Sequence, residues 1–377
     1  GTGTLDVTSI VTPSKVALGP LDLLEESMAK FAKEKLVGRY LPISLSTDWS
    51  EPHQTTKSGP VGQALGTSME DLSALPDDLK EDLGTIGGSK LQEYIKLLIP
   101  AAKGLHPDHK GPIRRISVIK DKEMKNRPIA IFDYFSQTSL VPLHNALFKA
   151  LKVLPTDLTF DQFGVKSILD LHSSSYYSLD LSSATDRFPV SLQVKILGLM
   201  IGPEKAEAWR RIMTHPLLTP TGETIAYAVG QPMGAYSSWA TFTLCHHLVV
   251  QYSAFQVGKP TWFTGYRILG DDIVILDKQV ADQYKENISL LGVEISESKS
   301  HVSKDTFEMA KRWFHKGIEI SPFPLHGLIE NISNPHGLAI ELYNTMRKGW
   351  STANCQGYPD GEMITALLKS LGWGLRS

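Results

Sequence analysis

Only two cysteines, Cys245 and Cys355, occur among 377 residues. That is too few for a disulfide framework, and a reducing compartment is expected. No apolar run approaches the roughly 18 residues that a membrane span needs. The first thirty residues also lack the charged start and apolar stretch of an export signal. Internal repeats and low-complexity tracts are missing as well. So is a strong net charge, since 38 Lys and Arg face 40 Asp and Glu. What remains is an ordinary globular composition, 42% apolar and 21% charged, long enough for two or three domains of roughly 100–200 residues. A start at Gly1 rather than Met is expected of a fragment or a processed product.

The near-neutral balance hides an uneven distribution. From Lys110 to Arg127 there are seven bases (Lys110, Arg114, Arg115, Lys120, Lys122, Lys125, Arg127) and two acids (Asp121, Glu123). A basic segment in an otherwise acidic chain points to a local polyanion site, the plainer alternative being a solvated charged loop.

Apolar spacing predicts a helix over 21–40, carried by Leu21, Leu24, Met28, Phe31 and Leu36, then loops around one short helix over 44–90. A helix opening at Pro142 and running to about Leu154 would bury Leu143, Leu147, Leu151 and Leu154. A strand is expected at 176–181, helices at 191–200, 203–213, 235–251 and 280–291, and a strand near 293–295. Turns are expected at Thr221, Gly222 and at Lys316, Gly317. Tyr266–Leu269 and Ile273–Leu276 are separated only by Gly270, Asp271 and Asp272, which reads as a β-hairpin with acids at its tip. This mixture of strands and helices gives an α+β chain.

Two adjacent carboxylates on a hairpin tip repel one another unless a cation compensates, and Mg²⁺ prefers such oxygen ligands. A plain Asp-Gly turn is the competing reading. In SLDLSSATDRF, Asp186 fits a helix N-terminus, but Asp180 ends an apolar strand and needs a partner. A metal shared with Asp271 supplies one. Two such ions ~3.5–4 Å apart would suit in-line phosphoryl transfer. Lys120, Lys125 and Arg127 could then neutralise a triphosphate. In GQPMGAYSSW, the glycines Gly230 and Gly234 flanking Gln231 permit close approach to a nucleotide or nucleic acid, with a serine-capped helix start as the alternative. Lys299 could donate a proton to pyrophosphate, or be a surface lysine. No zinc site is expected at Cys245, His246 and His247, nor any metal at His106 and His109.

In order, the chain carries KDKEMKNRPIAIFD, FDYFSQTSLVPLH, TFDQ, LDLSSATDRF, GQPMGAYSSW, ILGDDIVIL, GVEISESKSHVS and FEMAKRW. This set resembles the RNA-directed RNA polymerases of mitoviruses, in the lineage of narnaviruses and RNA-bacteriophage replicases, over about residues 110–324. The resemblance implies a right-hand polymerase with fingers, an antiparallel palm sheet flanked by helices, and a short thumb. Residues 1–175 would form the N-terminal region and fingers, 176–321 the palm with a fingers insertion near 187–230, and 322–377 the thumb. Asp180, Asp271 and Asp272 would hold two Mg²⁺ or Mn²⁺ ions, and Lys299 would be the general acid. Lys120, Lys125 and Arg127 would grip the ribonucleoside triphosphate, while Asp186 with Ser237 or Ser238 would sense its 2′-hydroxyl. Arg114, Arg115, Gly230, Gln231 and Gly234 are assigned to RNA, template and product being the partners; no protein partner is expected. A mitochondrial setting follows from the resemblance alone, and otherwise a cytoplasmic one. The rivals are a reverse transcriptase and a non-enzymatic RNA-binding endogenised viral copy.

Overall fold

In a computed structural model, the chain is described at residues 5–120, 126–171, 173, 175–321, 331 and 334–347. Lys125 and most of the expected thumb segment, 322–377, therefore lie outside the described residues.

Thr8–Val11 (α1) is followed by Leu18–Phe31 (α2), which widens into a π-helical turn over Ala32–Leu36. The helix expected to reach residue 40 stops there, because Val37 is extended and Gly38 takes φ +85°. The stretch 44–90, expected to hold one short helix, holds Ser68–Ala74 (α3), Asp77–Gly87 (α4) and the start of Ser89–Leu105 (α5). Leu79, Leu83 and Ile86 of α4 enter the core at helical spacing, a stripe obscured in sequence by interleaved Asp and Gly.

Arg114–Lys120 (β1) and Asn126–Phe132 (β2) form an antiparallel hairpin. Pro128 is tolerated because β2 is an edge strand. Tyr134–Lys152 (α6) begins eight residues before Pro142, where Asp133 caps it by accepting the Ser136 N–H at 2.8 Å. Pro142 sits inside the helix, and the leucine stripe below it is buried as expected.

Tyr176–Ser182 (β3), Ala184–Arg187 (α7), Val190–Ile201 (α8) and Pro203–Thr214 (α9) follow. Leu217–Leu218 (β4) and Thr224–Ile225 (β5) make the expected hairpin and extend the first sheet to the order β2-β1-β4-β5. Ser238–Gln256 (α10) is buried on nearly every side. Then come Tyr266–Leu269 (β6), Asp272–Ile275 (β7), Lys278–Leu290 (α11), Glu294–Ile295 (β8) and His301–Ser303 (β9). Thr306–Met309 (β10), Arg312–His315 (β11) and Ile318–Glu319 (β12) form a separate three-stranded sheet before Pro335–Arg347 (α12).

The central sheet has the order β6-β7-β3-β8, with β9 also paired to β3. Alternation along β7 divides the interior. Ile273 and Ile275 join the main core, which runs from Ile10 to Val293, while Val274 and Leu276 join a second cluster with Phe307, Met309 and Phe314. The α+β class is as the sequence indicates.

One loop ties these layers together. Gly230 N–H donates to the Asp186 carbonyl at 3.0 Å and Gln231 N–H to that of Thr185 at 3.0 Å. A Cβ on Gly230 would lie 1.9 Å from the Thr185 oxygen. Backbone cannot yield there as a flexible side chain would, so Gly230→Ala is expected to cost about 3 kcal/mol. A denaturant melt with an unchanged midpoint would contradict this.

Candidate active site

β6 and β7 are joined by two residues, Gly270 and Asp271, since Leu269 pairs with Asp272. Gly270 has φ +61°, and an added Cβ would stand 2.9 Å from Nε1 of Trp239, so both angle and space call for glycine. His246 of α10 supports this turn from below: Nδ1 lies 2.7 Å from the Gly270 carbonyl and Nε2 2.7 Å from the Tyr284 hydroxyl. A carbonyl can only accept, so Nδ1 carries the proton and Tyr284 donates to Nε2. Burial keeps the ring neutral, with its pKa pushed down to about 3. His247 bridges the Tyr266 hydroxyl and the Asp157 carboxylate at 2.7 and 2.8 Å. Both histidines act as struts between helix and strands.

Asp180 stands opposite Asp272 in the β3–β7 register. Leu179 and Leu181 point into the main core, so Ser178 and Asp180 face the β10–β11 side. There the Ser178 hydroxyl accepts the Glu308 N–H at 3.1 Å, and Asp272 Oδ2 accepts the Ala310 N–H at 2.8 Å. Ala310 and Lys311, the turn between β10 and β11, have φ +54° and +59°, a region in which residues with a Cβ are strained.

Four carboxylates thus gather: Asp180, Asp271, Asp272 and Glu308. Burial first, then the charge of Asp180, raises the pKa of Asp271, while Arg127 and Lys299 pull it back. Asp272 is pushed up to about 7 by burial, with Asp271, Glu308 and Asp180 adding to the shift and the Ala310 N–H opposing it. Lys299 Nζ lies 3.1 Å from Asp180 Oδ2. All four are oxygen donors, the chemistry that Mg²⁺ and Mn²⁺ take. Asp180 and Asp271 fit best, since Asp272 is already engaged by backbone.

Lys120 and Arg127 are exposed near the free end of the β1–β2 hairpin, and the charge of Arg127 reaches Asp271. Other sequence-predicted residues are placed differently. Arg114 is 1% exposed. It lies over the Phe132 ring, donates to Ser136 Oγ and the Ile212 carbonyl, and pairs with buried Asp133. It fastens β1 to α6 and α9 and faces no RNA, which corrects its assignment. Arg115 donates to the Pro60 carbonyl at 3.0 Å.

Ser237 is also a correction: fully buried, its hydroxyl accepts from Trp209 Nε1 at 3.0 Å and its N–H donates to His144 Nδ1 at 3.0 Å. Both its polar groups are used inside the protein. Ser238 is buried too, and its carbonyl accepts from Gln231 Nε2 at 2.9 Å. Gln231, fully buried, therefore spans from Thr185 to Ser238. The close approach permitted by Gly230 and Gly234 is to protein backbone, at Thr185 and Ala130 respectively. Asp186 is half-buried, with the Ser9 hydroxyl donating to Oδ2 at 2.7 Å. Sequence reading missed Ser9, Trp239, His246, Glu308 and Ala310 as supports. The spacing of β10 and β11 could have pointed only to Glu308, two residues before a turn.

A family model described as mitovirus RNA-dependent RNA polymerase matches residues 45–371. The chain belongs to this family. Among mitoviral relatives, the RNA-directed RNA polymerase of Cryphonectria parasitica mitovirus 1 is 41% identical over 202 residues, 52% of this chain and 25% of that protein. This family member thus spans a quarter of that relative's length. An uncharacterized mitochondrial protein of Arabidopsis thaliana is 34% identical over 193 residues, 48% of this chain and 77% of that protein. The fold is shared with the RNA-dependent RNA polymerase of a human picobirnavirus, crystallised as an insertion-loop deletion mutant. The TM-score is 0.50 at 12% identity, over 89% of this chain and 83% of that one.

The raised Asp272 carboxyl keeps its proton to about pH 7 in the folded chain. An unfolded Asp loses it near pH 4, so this group lowers stability as pH rises through that window. Asp272→Asn removes the titration. In EDTA its melting temperature is expected to exceed that of wild type above pH 7 and to converge with it near pH 4. A gap independent of pH would refute the assignment.

Proposed function

We propose that this mitovirus-family chain is an RNA-directed RNA polymerase that joins ribonucleotides on an RNA template by two-metal nucleotidyl transfer. The observation that carries this reading is the nearness of Asp180, opposite Asp272 on β3, to Asp271 in the β6–β7 turn, under the positive charge of Arg127 and Lys299. In a family named for this activity, acids for metal and bases for triphosphate support template-directed transfer.

Asp180 and Asp271, with Asp272 assisting, would hold the ions. Bound there, the metals would supply charge stabilisation for an attacking 3′-hydroxyl and a leaving pyrophosphate. The chain's own residues do the rest. Arg127 and Lys120 of the β1–β2 hairpin bind the triphosphate, Lys125 being assigned with them from sequence, and bring its α-phosphate over the acids. His246 holds the Gly270 carbonyl and so fixes where Asp271 points. Ala310 holds one oxygen of Asp272. Lys299 gives a proton to the departing pyrophosphate. Asp186, held at Oδ2 by the Ser9 hydroxyl, reads the ribose. Arg115, half-buried on β1, would lie along the RNA path.

We assign 1–175 to the N-terminal region and fingers, 176–321 to the palm and 322–377 to the thumb. Relatives named as mitochondrial proteins support a mitochondrial setting. Among the described residues no helix is long and apolar enough to cross a membrane.

The test is incubation with a short RNA template, Mg²⁺ and labelled ribonucleoside triphosphates, beside Asp271→Asn. Template-dependent product from wild type, reduced at least about a thousandfold in the variant with its circular dichroism unchanged, is the expected result. Deoxynucleotide incorporation would favour a reverse transcriptase. RNA binding without product would make the chain a binding protein.

A further inference from the structure

The loop from Ser296 to Ser300 is built around the backbone of Asp180. Ser296 N–H donates to the Asp180 carbonyl at 2.8 Å, and Asp180 N–H donates to Ser300 Oγ at 3.4 Å. The Ser300 hydroxyl closes the loop on the Ser296 carbonyl at 2.7 Å. Between these anchors a short 3₁₀ turn, Glu297–Lys299, carries Lys299. Its ammonium therefore arrives at the Asp180 carboxylate from a scaffold that grips the same residue on both backbone sides. The pair is 3.1 Å apart, with the lysine side chain half exposed. The lysine charge also acts on Asp271.

We propose that Lys299 is the resident cation of the acid site, neutralising Asp180 while no divalent metal is bound, and that metal entry displaces it. This rests on the reading of Asp180 and Asp271 as metal ligands. The physical reason is a difference in charge and reach. A half-exposed ammonium gains modest energy from one carboxylate, because water screens the pair. A divalent ion would carry twice the charge and could be held by Asp180 and Asp271 together, so it would win the site at the cost of the ion pair. Displacement leaves the amine of Lys299 on the loop beside Asp180, where it can turn to a phosphate. Metal loading and release of the lysine are then one event, and the acid cluster is held together without metal.

The measurement is Mn²⁺ binding by electron paramagnetic resonance, on wild type, Lys299→Met, Lys299→Arg and Asp180→Asn, with no nucleotide or RNA present. Lys299→Met is expected to bind Mn²⁺ about two- to fivefold more tightly, since no pair has to be broken. Lys299→Arg keeps the competing charge and is expected to stay near wild type. In EDTA, Lys299→Met is expected to melt below wild type, and saturating Mn²⁺ is expected to raise its melting temperature by more. Asp180-dependent Mn²⁺ binding with equal or weaker affinity in Lys299→Met would overturn this inference and leave the metal site standing. Absence of Mn²⁺ binding in wild type and Lys299→Met alike would overturn both.

Discussion

Carboxylates held close together on neighbouring strands and the turn between two of them repel one another, and much of this structure is arranged to keep four of them together. The compensating groups come from distant parts of the chain. Arg127 and Lys299 bring positive charge, one from the first sheet and one from the loop after β8. Ala310 brings a backbone N–H from a turn that is itself strained. His246 and Trp239 act on the turn that carries Asp271 rather than on the acids themselves. A site of this kind forms only when the whole sheet and the helix beneath it have formed, so its chemistry and its fold are acquired together.

The buried helix α10 shows how polarity inside a core can be afforded. His246 and His247 are adjacent in sequence, one held by the β6–β7 turn and α11 and the other by β6 and Asp157, each with both ring nitrogens satisfied. A buried imidazole so paired has one tautomer and one orientation. It is a stiffer link between helix and strand than an apolar contact, which can slide. Asn287 repeats the device toward α11, with its amide donating to Ser253 and Gln256 at 2.8 Å each.

The legible parts of the fold were those in which local pattern and final environment agree. The Gly270-Asp271-Asp272 hairpin, β3 and the leucine stripe of α6 announce themselves by periodicity. The start of α6 does not, because Pro142 imitates a helix opening while the true cap, Asp133, lies nine residues upstream. The helices of 68–105 were hidden for a related reason, since glycine and aspartate dilute an apolar stripe that tertiary packing nevertheless uses. In the site, the aspartates that the structure brings near one another were legible by type and spacing. Arg114 was misread because a guanidinium on a strand looks exposed until its buried partner is known. His246 and Ala310 act through single backbone contacts across 24 and 38 residues, which leave no trace in a sequence pattern.

Arg187, immediately after Asp186, spends its guanidinium on the carbonyls of Ser9, Thr12 and Pro13, while Ser9 holds Asp186 itself. Ile10, Leu21, Met28 and Phe31 belong to the main core. All of these partners precede residue 45, where the family match begins. The part of this molecule recognisable by shared ancestry and the part that folds as one piece thus have different edges. A fragment cut at the ancestral edge would expose apolar surface and leave a buried arginine without its acceptors.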